Sequence, residues 1–135
     1  MSECGCQNKD VLLFACSGGS NVAQIANDAA ISLDQLGQGR MYCAVGVVSK
    51  LPTFIETANK AEKRVIIDGC EVQCLKKGFE AAGVPVDVHV VVTDLGIEKG
   101  HHFNHTIDEV AKAAGAVCEG LKMKSCCGSG ESSAS

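Results

Sequence analysis

The chain has 135 residues, of which 46% are hydrophobic and 21% charged, and its formal net charge is −4. This length suits a single globular domain with a sizeable buried core. The negative charge, the lack of a basic run and the absence of Trp argue against nucleic-acid binding, which needs a positive surface. No segment approaches the ~18 apolar residues of a membrane span, and the start of the chain lacks the features of a signal peptide. We therefore expect a cytoplasmic protein that binds neither nucleic acid nor a membrane.

Nine of the residues are cysteines. Because this number is odd, internal disulfides cannot pair all of them, and so many thiols in a reducing compartment favour metal binding or thiol chemistry. By composition, an α/β domain over 10–124 is flanked by a flexible arm over 1–9 and a flexible Cys-, Gly- and Ser-rich tail over 125–135. The roles of the cysteines outside the domain stay open: Cys4, Cys6, Cys126 and Cys127.

The domain begins with a strand, a Gly-rich turn and a helix. A continuous apolar run over 11–15 predicts a strand buried on both faces, with Cys16 at its end. Apolar residues at helical spacing then predict a helix over about 21–36. The turn could cradle a phosphate, but it lacks the Gly-Lys-Ser/Thr of a nucleotide P-loop and the Arg of a cysteine-dependent phosphatase, with Val22 as the sixth residue after Cys16. Phosphate chemistry is therefore disfavoured.

Two further strands are expected in the middle of the chain. One lies within 40–48 and contains Cys43, whose default environment is the core. A short helix over about 53–62 follows it. The β-branched residues over 65–67 predict the other strand, which ends at the Asp-Gly pair at 68–69.

Cys70 and Cys74 follow this Asp-Gly turn. The segment suits a helix, so we expect Cys70 at its N-terminus and Cys74 one turn further along the same face. Two sulfurs beside exposed backbone N–H groups make half of a soft-metal site or a reactive thiol pair, whereas the plainer interpretation is two buried cysteines. Asp68 either orients the turn by accepting local N–H bonds, which we favour, or serves the site as an acceptor or proton carrier.

The last unit is a strand, a loop and a long helix. Val-rich sequence over 86–92 predicts the strand, in which His89 is expected to be a packed core histidine rather than a ligand. Thr106 and Glu109 form a capping box, which predicts that a helix begins there and runs to about residue 122.

These elements alternate as βαβαβαβα. This order predicts a single-domain, Rossmann-like, three-layer α/β fold, with about four parallel strands and helices on both faces. Ligands of such sheets bind outside the carboxyl ends of the strands. Cys16, Cys70 and the loop with His101 and His102 all map to that edge, so we expect them to converge.

The converging residues suit a thiolate metal site. A closed zinc site needs four ligands, commonly thiolates, and Cys16, Cys70 and Cys74 supply three of them. Helix N-termini that point at the site would offset its negative charge. Spacing alone leaves the fourth ligand open among Cys43, His101, His102 and a terminal cysteine.

Other uses of these thiols remain open at this point. The chain could be a thiol-dependent redox enzyme or a sulfur carrier in which Cys16 or Cys70 is the reactive thiolate. Four cysteines also suit an iron–sulfur cluster, and softer species such as Cu(I) or arsenite suit thiolates too. Whether the protein is an enzyme, and which substrate or protein partner it has, does not follow from the sequence.

In its motifs the chain resembles the DGC-domain family of zinc-binding proteins. The matching pieces are Cys-Ser-Gly-Gly-Ser-Asn-Val at 16–22, Cys43, Asp-Gly-Cys at 68–70 with Cys74, and Gly-Val-Pro-Val-Asp at 83–87 leading into Val-Val-Val-Thr-Asp-Leu-Gly at 90–96. The resemblance covers about residues 10–120. It implies zinc as the cofactor, and its four-cysteine ligand set carries over to Cys16, Cys43, Cys70 and Cys74.

Overall fold

The computed structural model of the chain describes residues 10–123, so the terminal cysteines and the predicted arm and tail lie outside it. Within these residues, four parallel strands form one sheet in the order β2-β1-β3-β4. Their bounds are Val11–Ala15 for β1, Arg40–Met41 for β2, Lys63–Asp68 for β3 and Val88–Val91 for β4. The parallel sheet confirms the predicted α/β class.

Helices cover both faces of this sheet. Their bounds are Asn21–Gln35 for α1, Ala44–Val48 for α2, Pro52–Lys60 for α3, Cys74–Ala82 for α4 and Ile107–Met123 for α5. A short 3-10 helix over Val92–Leu95 follows β4. One buried cluster joins the sheet to α1 and α5, and a second joins it to α2, α3 and α4. The fold therefore has the three layers that the element order predicts.

Strand β1 forms the middle of the core because both of its faces are covered. All five of its residues are buried. Leu13 belongs to the cluster under α1 and α5, whereas Leu12 and Phe14 belong to the cluster on the other face. The ring of Phe14 meets that of Phe79 in α4 edge-on, at a centroid distance of 4.7 Å. The chain emerges from this anchored strand at Cys16, whose position is therefore fixed.

The predicted second strand is much shorter than expected, and Cys43 lies outside it. Only Arg40–Met41 pairs with β1, and the segment Ala44–Val48 is a helix with Cys43 at its N-cap. A Cβ at Gly46 would lie 2.5 Å from the ring of Phe54. This close approach packs α2 against α3, and such tertiary contact overrides the β-branched character of the segment.

The helix that carries Cys74 also begins later than expected. It starts at Cys74 itself, after Gln73 in a left-handed conformation with φ of 53°. Cys70 therefore lies in the turn between β3 and α4, so the two cysteines do not share one helix face. A turn of this length lets the Asp68 side chain accept hydrogen bonds from the first turn of α4. These bonds stabilise a helix that begins at Cys74 rather than at Cys70.

Side chains cap the N-termini of both long helices. In α1, the Ser20 hydroxyl accepts a hydrogen bond from the backbone N–H of Ala23 at 3.2 Å. The predicted capping box of α5 is confirmed, since Thr106 and Glu109 each donate a backbone N–H to the other's side chain. Among residues 10–123, no helix has the length and apolar character needed to cross a membrane.

Candidate functional site: thiols at the carboxyl edge of the sheet

Cys16 and Cys74 are in contact, although 57 residues of chain separate them. Cys16 extends β1 by donating its backbone N–H to the carbonyl of Ile67 in β3 at 2.9 Å, and Cys74 is the first residue of α4. Burial raises the pKa of the Cys74 thiol, and the adjacent Cys16 and Asp68, with a side-chain hydrogen bond to Cys16, raise it further. The expected convergence of sulfur atoms at this edge therefore occurs for this pair.

Asp68 holds the helix that carries Cys74. Its side chain is 1% exposed and accepts hydrogen bonds from the backbone N–H groups of Leu75 at 3.0 Å and Lys76 at 3.2 Å. The same carboxylate lies 2.8 Å from Nε2 of His89, a partly buried side chain. The expectation that Asp68 accepts local N–H bonds is thus confirmed, and these bonds fix Cys74 relative to the sheet.

Cys70 reaches the site because the preceding residue is glycine. A Cβ at Gly69 would lie only 2.9 Å from the backbone nitrogen of Ala23 and 3.0 Å from its Cα. Backbone atoms of α1 cannot move away cheaply, so only glycine allows the turn after β3 to lie directly against the first turn of α1. This close approach brings Cys70 beside the Cys16 loop.

A lysine that the sequence analysis did not single out lies beside Cys70. The ammonium of Lys99 donates a hydrogen bond to the Cys70 sulfur at 3.5 Å. This contact puts a positive charge directly beside the Cys70 sulfur. Sequence reasoning missed this contact because Lys99 is 29 residues from Cys70 and lies in a loop whose path no local sequence pattern specifies.

Asn21 holds the loop that carries Lys99. This residue is 3% exposed, and its side chain donates to the carbonyl of Glu98 at 2.9 Å and accepts from the N–H of Gly100 at 2.7 Å. Its backbone N–H also donates to the Gly100 carbonyl at 3.2 Å. Both neighbours of Lys99 are therefore tied to the N-terminus of α1.

Two cavities meet at the Cys16–Cys74 pair. The larger has a volume of about 590 Å³, and Cys43 and the apolar residues of α2 lie in its wall beside the pair. The smaller, of about 320 Å³, is lined by the same pair together with Cys70, Lys99 and His101. Besides the pair that both cavities share, the larger cavity is thus lined by Cys43 and the smaller one by Cys70.

The histidines of the loop differ in their positions. His101 borders the smaller cavity. His102 accepts a hydrogen bond at Nδ1 from the backbone N–H of Asn104 at 3.0 Å, which occupies one of its ring nitrogens. His89, expected in the core, is partly buried and pairs with Asp68 instead of lining either cavity. Of the histidines considered as ligands, His101 is the one beside the thiols.

The donor set suits a soft metal in chemical type, since thiolates are the ligands that zinc and softer ions prefer. As arranged, however, residues 10–123 contain no group of three or more Cys, His, Asp or Glu side chains close enough together to hold a metal ion. Cys43 and Cys74 are exposed residues, and Cys16 and Cys70 are partly exposed.

The chain is similar to a known protein family and to a curated relative. The family model described as the DGC domain matches residues 12–117. The anaerobic and virulence modulator AnvM of Pseudomonas aeruginosa is 35% identical over 88 residues, which cover 65% of this chain and 67% of that protein. No solved structure matches the chain.

Proposed function

Because this chain belongs to the DGC-domain family, we propose that it is a small metal-binding protein that holds one zinc ion through Cys16, Cys43, Cys70 and Cys74. The observation that carries the proposal is the contact between Cys16 and Cys74, together with Cys43 in the wall of the larger adjoining cavity and Cys70 in the wall of the smaller one. The cytoplasm, which keeps thiols reduced, is the compartment that we assign to it.

Charge at the site supports a thiolate complex of zinc. Four thiolates around Zn²⁺ carry a net charge of about −2, which a protein must offset. The ammonium of Lys99 contributes one positive charge directly at Cys70. Cys74 begins α4 and Cys16 precedes the N-cap of α1, so the positive ends of two helix dipoles also lie close to the sulfurs. When bound, zinc would cross-link four segments that are distant in sequence.

Proton release accompanies this binding. A thiol binds metal as the thiolate, so a bound cation must displace the proton that the raised pKa of Cys74 retains. Zinc affinity should therefore fall as the pH falls.

A second candidate function is thiol chemistry at Cys70, which the Lys99 contact favours. In that case Cys70 would be the reactive thiolate of a redox enzyme or sulfur carrier, and the protein would hold no metal tightly. A four-cysteine iron–sulfur cluster is the third alternative. The name of the relative, an anaerobic and virulence modulator, is compatible with all three, because thiols and their metal complexes respond to oxygen.

Elemental analysis of protein purified without air tests the zinc proposal. Serine should first replace Cys4, Cys6, Cys126 and Cys127, since these thiols could bind metal independently. The resulting chain should contain about one zinc, without the visible absorption of an iron–sulfur cluster, and Cys70→Ser should abolish the zinc. Cys118→Ala is the matched control, because Cys118 lies in α5 and lines neither cavity. Full zinc retention by Cys70→Ser would contradict the proposal.

A further inference from the structure

The larger cavity is more apolar than a metal ion requires. Its volume is about 590 Å³, within the range of small-molecule sites. A zinc ion bonded directly to sulfur occupies little of such a space. Beside the three cysteines, the wall is formed mainly by hydrophobic side chains, among them Met41, Val45, Val48 and Leu75.

Two of these side chains are exposed beside the thiols. Val45 is 72% exposed and Val48 is 36% exposed, and their spacing puts them on one face of α2. Exposed apolar side chains that line a concave site are typical of a surface that an apolar ligand covers. The wall therefore offers a contact for an organic group next to the sulfur pair.

The sulfur pair limits the chemistry of the ligand. Cys16 and Cys74 are in contact, so a single soft atom can bond to both. An organomercury cation has one free valence and uses a single thiol. Inorganic arsenite and zinc carry no organic group. A trivalent arsenic atom with one organic substituent matches both features, since it offers two exchangeable positions and keeps its carbon group.

We propose that the larger cavity binds monosubstituted organic derivatives of trivalent arsenic, with arsenic on Cys16 and Cys74 and the organic group against Val45 and Val48. The ligand R–As(OH)₂ exchanges its two hydroxyl groups for two sulfurs. Two As–O bonds break, two As–S bonds form, and the two thiol protons leave with the hydroxyl groups as two water molecules. Arsenic stays trivalent, so no oxidant or reductant is needed.

This inference shares the Cys16–Cys74 pair with the proposed zinc site but makes different demands on the other cysteines. Cys70 lines the smaller cavity and is not among the residues that line the larger one. Zinc binding should need Cys70, whereas binding of the organic arsenical should not. Cys70→Ser therefore separates the two.

The test uses the full chain with serine at Cys4, Cys6, Cys126 and Cys127, freed of metal, with phenylarsonous and methylarsonous acids as probes. Calorimetry measures the affinity of the protein for each of the two acids. The ratio of these affinities is divided by the ratio measured with dithiothreitol, which corrects for the difference between the two acids in binding any dithiol. We expect the phenyl compound to bind at least about tenfold more tightly, because its ring buries more apolar surface against α2. Cys16→Ser and Cys74→Ser should each abolish tight binding, and Cys70→Ser should preserve it.

Two exposed valines provide matched variants. Val45→Asp should reduce the preference for phenyl by about tenfold, whereas Val72→Asp, at a 50% exposed valine of the smaller cavity, should leave it unchanged. Equal effects of the two variants would overturn the inference, as would loss of arsenical binding in Cys70→Ser. Zinc binding with no phenyl preference would overturn this inference alone. Arsenical binding without zinc binding would overturn the zinc proposal alone.

Discussion

The ammonium of Lys99 lies 3.5 Å from the sulfur of Cys70, although the two residues belong to different loops of the carboxyl edge. Asn21 donates a hydrogen bond to Glu98 and accepts one from Gly100, and these bonds to both neighbours of Lys99 determine the path of its loop. The contact is therefore a consequence of the fold. It puts a positive charge beside Cys70.

Removal of this cation should slow the reaction of Cys70 with alkylating agents. In metal-free protein at neutral pH, Lys99→Met should reduce the rate at Cys70 by about two- to fivefold, since an exposed charge pair is worth roughly 0.2–1 kcal/mol. Peptide mass spectrometry after timed iodoacetamide treatment measures the rate for each cysteine. Lys122→Met, at an exposed lysine in the last turn of α5, is the control. An unchanged rate at Cys70 would show that the contact has no chemical effect.

Asp68 should be important for both stability and site geometry. Asp68→Asn removes an acceptor from the first turn of α4 and should lower the free energy of unfolding by about 1–3 kcal/mol, because a buried backbone N–H loses its partner. It should also lower the pKa of Cys74, since the Asp68 charge contributes to raising it. Urea denaturation and the pH profile of Cys74 alkylation measure the two effects. Exposed Asp94→Asn should alter neither, and equal behaviour of both variants would refute this role.

Cys74 predicts a pH dependence of the metal-free protein. Its folded-state pKa is raised above the ordinary value of 9.0, mainly by burial. The folded state therefore favours the protonated thiol, and this contribution to stability is present below the unfolded pKa and is lost as the pH rises through the folded one. The unfolding temperature of zinc-free protein should fall between about pH 8 and pH 11. This fall should be less steep for Cys74→Ser than for the parent chain. Identical slopes would exclude this explanation.

Gly69 should tolerate no side chain. Gly69→Ala would bring its Cβ within 2.9 Å of the α1 backbone, so we expect a loss of about 1–3 kcal/mol in unfolding free energy and weaker zinc binding. Gly115→Ala in α5 is the control, because a Cβ there meets nothing within 4 Å. That variant should gain up to about 1 kcal/mol from helix propensity. The same sign for both variants would contradict the close-approach argument.

The features that the sequence predicts best are the positions of residues directly after the ends of strands. The apolar run of β1 requires Cys16 to emerge at the carboxyl edge, and the Asp-Gly pair after β3 brings its turn to the same edge. Both positions are therefore found by pattern alone. The β4 loop reaches that edge for the same reason.

The errors have tertiary causes. The segment after Cys43 is rich in β-branched residues that suggest a strand, but the close packing of Gly46 on Phe54 makes it a helix. Nothing in a glutamine indicates the left-handed conformation of Gln73, which delays α4 until Cys74. The Lys99–Cys70 contact was not predicted because it depends on how two loops approach each other.

X-ray absorption at the zinc edge tests the four-cysteine site most directly. The chain with serine at Cys4, Cys6, Cys126 and Cys127, purified without air, should give four sulfur ligands at about 2.3 Å, and three in any variant of the four site cysteines that still retains metal. A spectrum dominated by nitrogen or oxygen ligands, or protein that binds no zinc, would contradict the site.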